Sequence, residues 1–257
     1  MTGLSSVLVD DVLLSPVLGV NPFEEALERL VYSIRLGYFS HGQRLPPERE
    51  LSAQLGISRM TLRSVIRSLQ ETGYVTSKPG RYGGSFVIWG SPTASMPTIT
   101  LTAQARATLL DAMLFRSVVE PGAAQLAAER GLTEDEQEEL DARLVESQSA
   151  SPGHFRGADA RFHITLAALS GSPTLTKAVA DVQMSLDDLL RAVPYMGHAI
   201  AHSHAQHSQI VRAVVARNGT RARSLMAEHI EATATLMRGF MSSAETEAQP
   251  SSPSHAG

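Results

Sequence analysis

From Pro22 to Tyr38 the apolar positions Phe23, Leu27, Leu30, Val31 and Ile34 recur three or four apart, which predicts an amphipathic helix opened by a proline in its first turn. After the loop SHGQRLPP, the segment EREL-SAQL predicts a short helix broken by Gly56. Ser58 is placed to cap a further helix, RMTLRSVIRSLQET, which Gly73 ends. Two helices joined by a tight glycine turn make a helix-turn-helix. On its second helix Leu62, Val65, Ile66 and Leu69 form the inward stripe, so Arg59, Thr61, Arg63 and Arg67 fall on the other faces. YVTS and SFVIW then read as two short strands around KPGRYGG, a hairpin with Lys78 and Arg81 beside its tip.

The stretch LPPERELSAQLGISRMTLRSVIRSLQETGYVTSKPGRYGGSFV resembles the winged helix-turn-helix of GntR-family bacterial transcription regulators. The resemblance implies a recognition helix in the major groove of double-stranded DNA and a wing tip at the minor groove. By position it implies contacts from Arg49, Ser58, Arg59, Thr61, Arg63 and Gly80. Met60 stands where many members carry a small polar residue.

Residues 90–104, GSPTASMPTITLTAQ, are rich in Pro, Ser and Thr and have no helical period, which marks a linker. Beyond it helical segments are expected at roughly 103–130, 133–149, 153–170, 173–193, 202–217 and 220–240, separated by glycine and proline breaks. The expected fold is mainly α, with an N-terminal winged helix-turn-helix carrying a small β-hairpin wing and a C-terminal antiparallel all-α bundle of six or seven helices. The expected organisation is a flexible arm over 1–20, a DNA-binding domain over 21–90, a linker over 91–103, a helical effector-binding and dimerisation domain over 104–241, and a disordered tail over 242–257.

Within the bundle, GHAIAHSHAQHSQI holds His198, His202, His204 and His207. Folding the last two helices as a hairpin about Asn218 and Gly219 sets His207 and His229 at nearly the same height. His202 and His204 come level only with threonines and read as helix-start or rim residues, with His198 in the preceding loop. Earlier, Asp159 and His163 stand four apart on one helix face, a spacing that suits either an exposed hydrogen bond or a shared ion. Together the four residues form a set of one carboxylate and three imidazoles, suited to zinc, nickel, manganese or iron with positions left open.

The DxxxFH element, the later HxxI and the final EHI resemble the FCD ligand-binding domain of the FadR subfamily. This resemblance implies a divalent metal at Asp159, His163, His207 and His229, with a homodimer built largely through the helical domains. FRSVVEPGAAQLAAER resembles that domain's first long helix, whose arginine lies near the effector pocket and is here Arg116; the other reading of Arg116 is an i to i+4 ion pair with Glu120. Two features depart from the pattern or extend it. Ser172 replaces a frequent asparagine, and Asp181 falls roughly opposite His163, where it would either orient a ligand or be a solvated helix residue.

Charge sharpens this division. The net charge of −4 conceals an excess of nine basic over six acidic residues between 21 and 90, in an otherwise acidic chain, which suits a polyanionic partner. The absence of cysteine excludes disulfides and thiolate metal sites, and 43% hydrophobic residues suffice for a real core. The apolar opening lacks a basic leader and carries Asp10 and Asp11, which argues against a signal peptide or membrane span and suits a bacterial cytoplasmic protein. The expected function is a metabolite-responsive transcription regulator, most often a repressor in such a family. It would bind a pseudo-palindromic operator and a small carboxylate effector, with no enzymatic role. The rivals are a metal-dependent enzyme fused to a DNA-binding module, a metal-free acyl-chain pocket, and a regulator whose metal is structural or itself sensed.

Overall fold

Each of the first three helices begins and ends where its local chemistry dictates. A computed structural model describes residues 14, 21–80, 83–89, 102–151, 154–190 and 197–248. The Asn21 side chain caps helix α1 (Pro22–Arg35), with Glu24 and Glu25 in its first turn and Arg35 in its last, charges that favour the helix dipole. The helix stops at Arg35 rather than Tyr38, because Gly37 turns the chain at φ 78°. Helix α2 (Glu48–Gln54) leads through Gly56, at φ 64°, to helix α3 (Arg59–Glu71), whose first turn is capped by Ser58 accepting from the Thr61 amide.

Strands β1 (Val75–Lys78) and β2 (Gly84–Val87) pair antiparallel, with Val75 opposite Val87 and Lys78 opposite Gly84. Arg44 adds an isolated bridge to Phe86, and Trp89, beyond the strand, stacks on Tyr74 with centroids 4.6 Å apart. Lys78 belongs to the strand rather than the tip, and its ammonium lies over the Phe86 ring. Arg81 lies outside the described residues. Leu30, Leu51, Leu55, Leu62, Val65, Leu69, Val75 and Val87 make the core of this unit. Leu14 is buried in the same core, so at this residue the N-terminal arm is docked; the rest of 1–20 and the linker stretch 91–101 lie outside the described residues.

Six further helices form the bundle: α4 (Ala103–Arg130), α5 (Glu134–Ser149), α6 (Phe155–Ala168), α7 (Pro173–Leu190), α8 (Gly197–Val215) and α9 (Gly219–Ala248). The long helices α4 and α9 lie against one another, and α6 is covered by α5, α7 and α4. Residues from Ala160 to Ala167 of α6 are consequently all buried, polar ones included. Two boundaries depart from expectation. Helix α9 runs to Ala248 where a disordered tail was expected from 242, since SSAETEA holds neither glycine nor proline and Pro250 is the first breaker; residues 249–257 lie outside the described set. Helix α8 begins at Gly197, so His198 belongs to its first turn rather than to a preceding loop, and His202 follows one turn later.

Leu62, fully buried at the centre of the winged-helix core, gives a direct check on this packing. Leu62→Ala should cost about 2–5 kcal/mol in urea unfolding, and a loss under about 1 kcal/mol would contradict the packing described.

Candidate metal centre and DNA-reading face

Asp159 and His163 are presented by α6, His207 by α8 and His229 by α9. His163, His207 and His229 are buried and offer nitrogens that all lie within 4.8 Å of one another. Their contacts show which nitrogens turn inward. His207 Nε2 is 3.2 Å from His229 Nε2 and 3.7 Å from Asp159 Oδ1, and His163 Nε2 is 3.8 Å from Asp159 Oδ2. The opposite nitrogens turn outward: His163 Nδ1 lies 2.7 Å from Glu120 Oε2, and His229 Nδ1 lies 3.0 Å from Gln206 Oε1. Phe162 closes one side, stacked on His207 with centroids 4.2 Å apart.

Burial sets the electrostatics of this cluster. It pushes His207 well below the ordinary histidine value, and the charges His229 and His163 would carry push it further. His229 is lowered in the same way, by burial first and then by His163 and Arg116. Both are therefore neutral at physiological pH, the form that ligates metals. Burial raises Asp159 against the pull of His163 and Arg116. Burial would also raise Glu120, but Arg116 and His163 overcome it and hold this carboxyl far below its ordinary range.

These residues fit a divalent ion. Asp159 Oδ1 is buried without a hydrogen-bond partner beside three converging imidazoles, a donor arrangement that a cation could satisfy. The donor set is one oxygen and three nitrogens, with His163 and His229 oriented from behind by Glu120 and Gln206.

Arg116 points into the same region but is engaged. Its guanidinium binds Glu120 at 2.6 and 3.2 Å with both side chains buried, and Nη2 lies 3.5 Å from His163 Nε2. The i to i+4 ion pair and proximity to the metal region are thus both present, and the pair is buried rather than exposed. Gln183 also donates to Glu120. Asp181 does not face His163: it is half-exposed and paired with Lys177, and the carboxylate behind His163 is Glu120. Ser172 accepts from the Leu175 amide at the start of α7.

On the other unit Arg49, Ser58, Arg59 and Arg63 are exposed around the N-terminal end of α3. The Ser58 and Thr61 hydroxyls lie 2.8 Å apart, Arg63 pairs with Glu48 at 2.9 Å, and Gly80 is exposed at φ 102°. Met60, beside Arg59, is also exposed.

The family profile described as bacterial regulatory proteins, gntR family, matches residues 22–87, and the FCD domain profile matches residues 111–232. RmpR of Mycobacterium gastri, which bears the name of an HTH-type transcriptional regulator, is 32% identical over 209 residues, covering 79% of this chain and 76% of its own. The chain belongs to the GntR family. It is a DNA-binding transcriptional regulator of the GntR type with an FCD domain. An L-lactate dehydrogenase operon regulatory protein of Escherichia coli K12 is 28% identical over 208 residues, 77% of this chain and 80% of that one. Among solved structures, E. coli McbR/YncC shares the fold at a TM-score of 0.51 and 16% identity, covering 87% of this chain and all of that one.

Sequence reasoning about this GntR-family chain missed the buried role of Glu120 and its bond from Gln183, and it placed His204 at the rim. His204 Nε2 is buried without a partner and its ring lies against Phe155. The available signal for Glu120 was its position on α4 one turn before Ala123 and Ala124 and two turns before Ala127 and Ala128, a small-residue face made for close packing.

The lowered histidines give a pH dependence with a definite sign. The fold keeps His207 and His229 neutral while the unfolded chain takes up protons near pH 6.5, so acid favours unfolding. With chelator present, stability should be flat above about pH 7 and fall below about 6.5, by up to about 1.4 kcal/mol per pH unit for each group. His229→Gln should show a shallower fall across this window; an unchanged slope in urea titrations would contradict the burial described.

Proposed function

We propose that this regulator is a metabolite-responsive repressor, acting in the cytoplasm as a homodimer on a pseudo-palindromic operator, and that its effector is a small organic acid received at a metal-containing pocket in the FCD domain. The observation that carries this reading is the convergence of Asp159, His163, His207 and His229 beside the buried Arg116. Asp159, His163, His207 and His229 would hold a divalent ion, zinc first by the donor set, with nickel, manganese or iron also suited. When bound, such an ion supplies a Lewis acid with open positions for a carboxylate. Arg116 brings a positive charge to the same place, and Glu120 holds both Arg116 and His163 in position. The E. coli relative named for the L-lactate dehydrogenase operon directs attention to 2-hydroxy acids.

On the DNA side, Arg49, Ser58, Arg59, Thr61, Arg63 and Gly80 form the reading surface. The pair between Arg63 and Glu48 is exposed, and such pairs are worth at most about 1 kcal/mol, so a phosphate or guanine edge can replace it. Dimerisation is supported by Leu110, Leu114 and Val118, which stand four apart on α4 as an exposed apolar stripe that a second copy would cover. Effector binding then favours a domain arrangement with the wrong half-site spacing, lowering operator affinity.

Three measurements test this reading with DNA selected in vitro on the full-length protein. Arg59→Ala and Arg63→Ala should each weaken binding about tenfold or more, as loss of a base or phosphate contact does, while leaving the dimer intact; undiminished affinity would remove α3 as the reading helix. Purified protein should hold about one ion per chain, lost in His163→Ala or His229→Ala and kept in His204→Ala. A screen led by 2-hydroxy acids should find one that raises the melting temperature and releases DNA, and an acid that binds equally well to the His163→Ala protein would place the effector elsewhere.

A further inference from the structure

Arg161 stands on α6 midway between Asp159 and His163, and at 100° per residue its side chain leaves the helix nearly opposite to theirs. It is buried and reaches across to the winged-helix unit. Nη1 donates to the carbonyl of Leu36, the residue that ends α1, while Nη2 and Nε bind Glu146 at 2.6 and 3.3 Å. Glu146 is fixed in turn by Arg143 at 2.6 Å. A helix end leaves its last carbonyls without partners, so Arg161 acts as a C-terminal cap supplied by a different domain.

The surrounding chain is shaped to this contact. Gly37 adopts φ 78°, and a Cβ there would fall 2.6 Å from Arg161 Nη1; a Cβ on Gly157 would fall 3.4 Å from the same nitrogen. The Leu36 side chain is buried in one cluster with Ala160 and Ile164 of α6 and Val179 and Met184 of α7, and Arg35 pairs with Asp187 at 3.1 Å. At its other side α1 lies against α3, the helix that carries Arg59 and Arg63.

We propose that Arg161 is the positioning residue through which the state of the Asp159 and His163 site is passed to the DNA-reading helix, by holding or releasing the end of α1. The proposal rests on the metal site and DNA-reading face put forward above. Seating a ligand on Asp159 and His163 fixes the turn of α6 that carries Arg161. Leaving the buried Arg161 guanidinium half-paired is costly, so a shift of its turn would withdraw it from Leu36 rather than stretch the contact.

The test compares zinc-loaded with chelator-treated full-length protein, reading metal content, affinity for selected DNA, and amide exchange over Leu36 to Phe39. In the wild type, zinc should slow exchange at these amides and change DNA affinity by about fivefold or more, the lower end of typical coupling. Arg161→Ala should keep one zinc per chain, its circular dichroism spectrum and its zinc-free DNA affinity, while both zinc effects disappear. Should Arg161→Ala fail to fold, Arg161→Lys, which retains the charge but not the forked contact, should reduce the affinity ratio toward one. Gly37→Ala should do the same from the other side of the contact. Zinc effects that persist undiminished in the folded variants would overturn the proposal, as would a wild type that binds zinc with no change at Leu36 to Phe39. A wild type that takes up no zinc would instead overturn the metal site, and this coupling with it.

Discussion

Three imidazoles and a carboxylate inside an apolar helical bundle are expensive to bury, and the rest of the FCD domain is arranged around that cost. An unpaired buried polar group costs several kcal/mol, so such a cluster persists only where its members satisfy one another or a ligand. Here His163 and His229 are backed by Glu120 and Gln206, Arg116 and Gln183 hold Glu120, and Phe162 shields His207. The unpaired Asp159 Oδ1 and the two depressed histidines are the members of the cluster that the proposed cation would engage. Helix α6 is buried from Ala160 to Ala167, with this cluster on one face and the contact with the winged helix on the other.

That double duty gives the molecule its economy. One largely buried helix bears Asp159 and His163 toward the histidine cluster and Arg161 toward Leu36. A closely packed helix would tend to move as a body, since close-packed interiors transmit displacement rather than absorb it. The winged-helix unit, by contrast, is built for exposure. Its core is small and its basic side chains around α3 remain in solvent, ready to exchange water and weak ion pairs for phosphates.

Much of this was legible in the chain itself because it rests on local chemistry. Ser58 before α3, Gly56 in the turn and the 3.6-residue stripe of Leu62, Val65, Ile66 and Leu69 each act within a few residues. Matching heights across the turn at Asn218 related His207 to His229, because antiparallel helices with a short connection fix axial position. What local chemistry leaves open is rotation and burial. The pair of Arg116 and Glu120 has the spacing of an exposed surface bridge, and only the packing of α4 against α9 and α7 buries it. Asp181 has the position of a partner for His163 and faces Lys177 instead, since a small turn of α7 decides between them. Nothing periodic in the sequence marks Arg161, whose partner lies 125 residues away.

The buried cluster is proposed to be a metal site made largely of histidine. X-ray absorption at the metal edge of the full-length protein, purified without chelator, tests it most directly. Such a site should give an edge from a divalent first-row metal whose inner shell is dominated by nitrogen, with the outer-shell ring scattering of about three imidazoles. An absent edge, or a shell of oxygen without imidazole scattering, would contradict it.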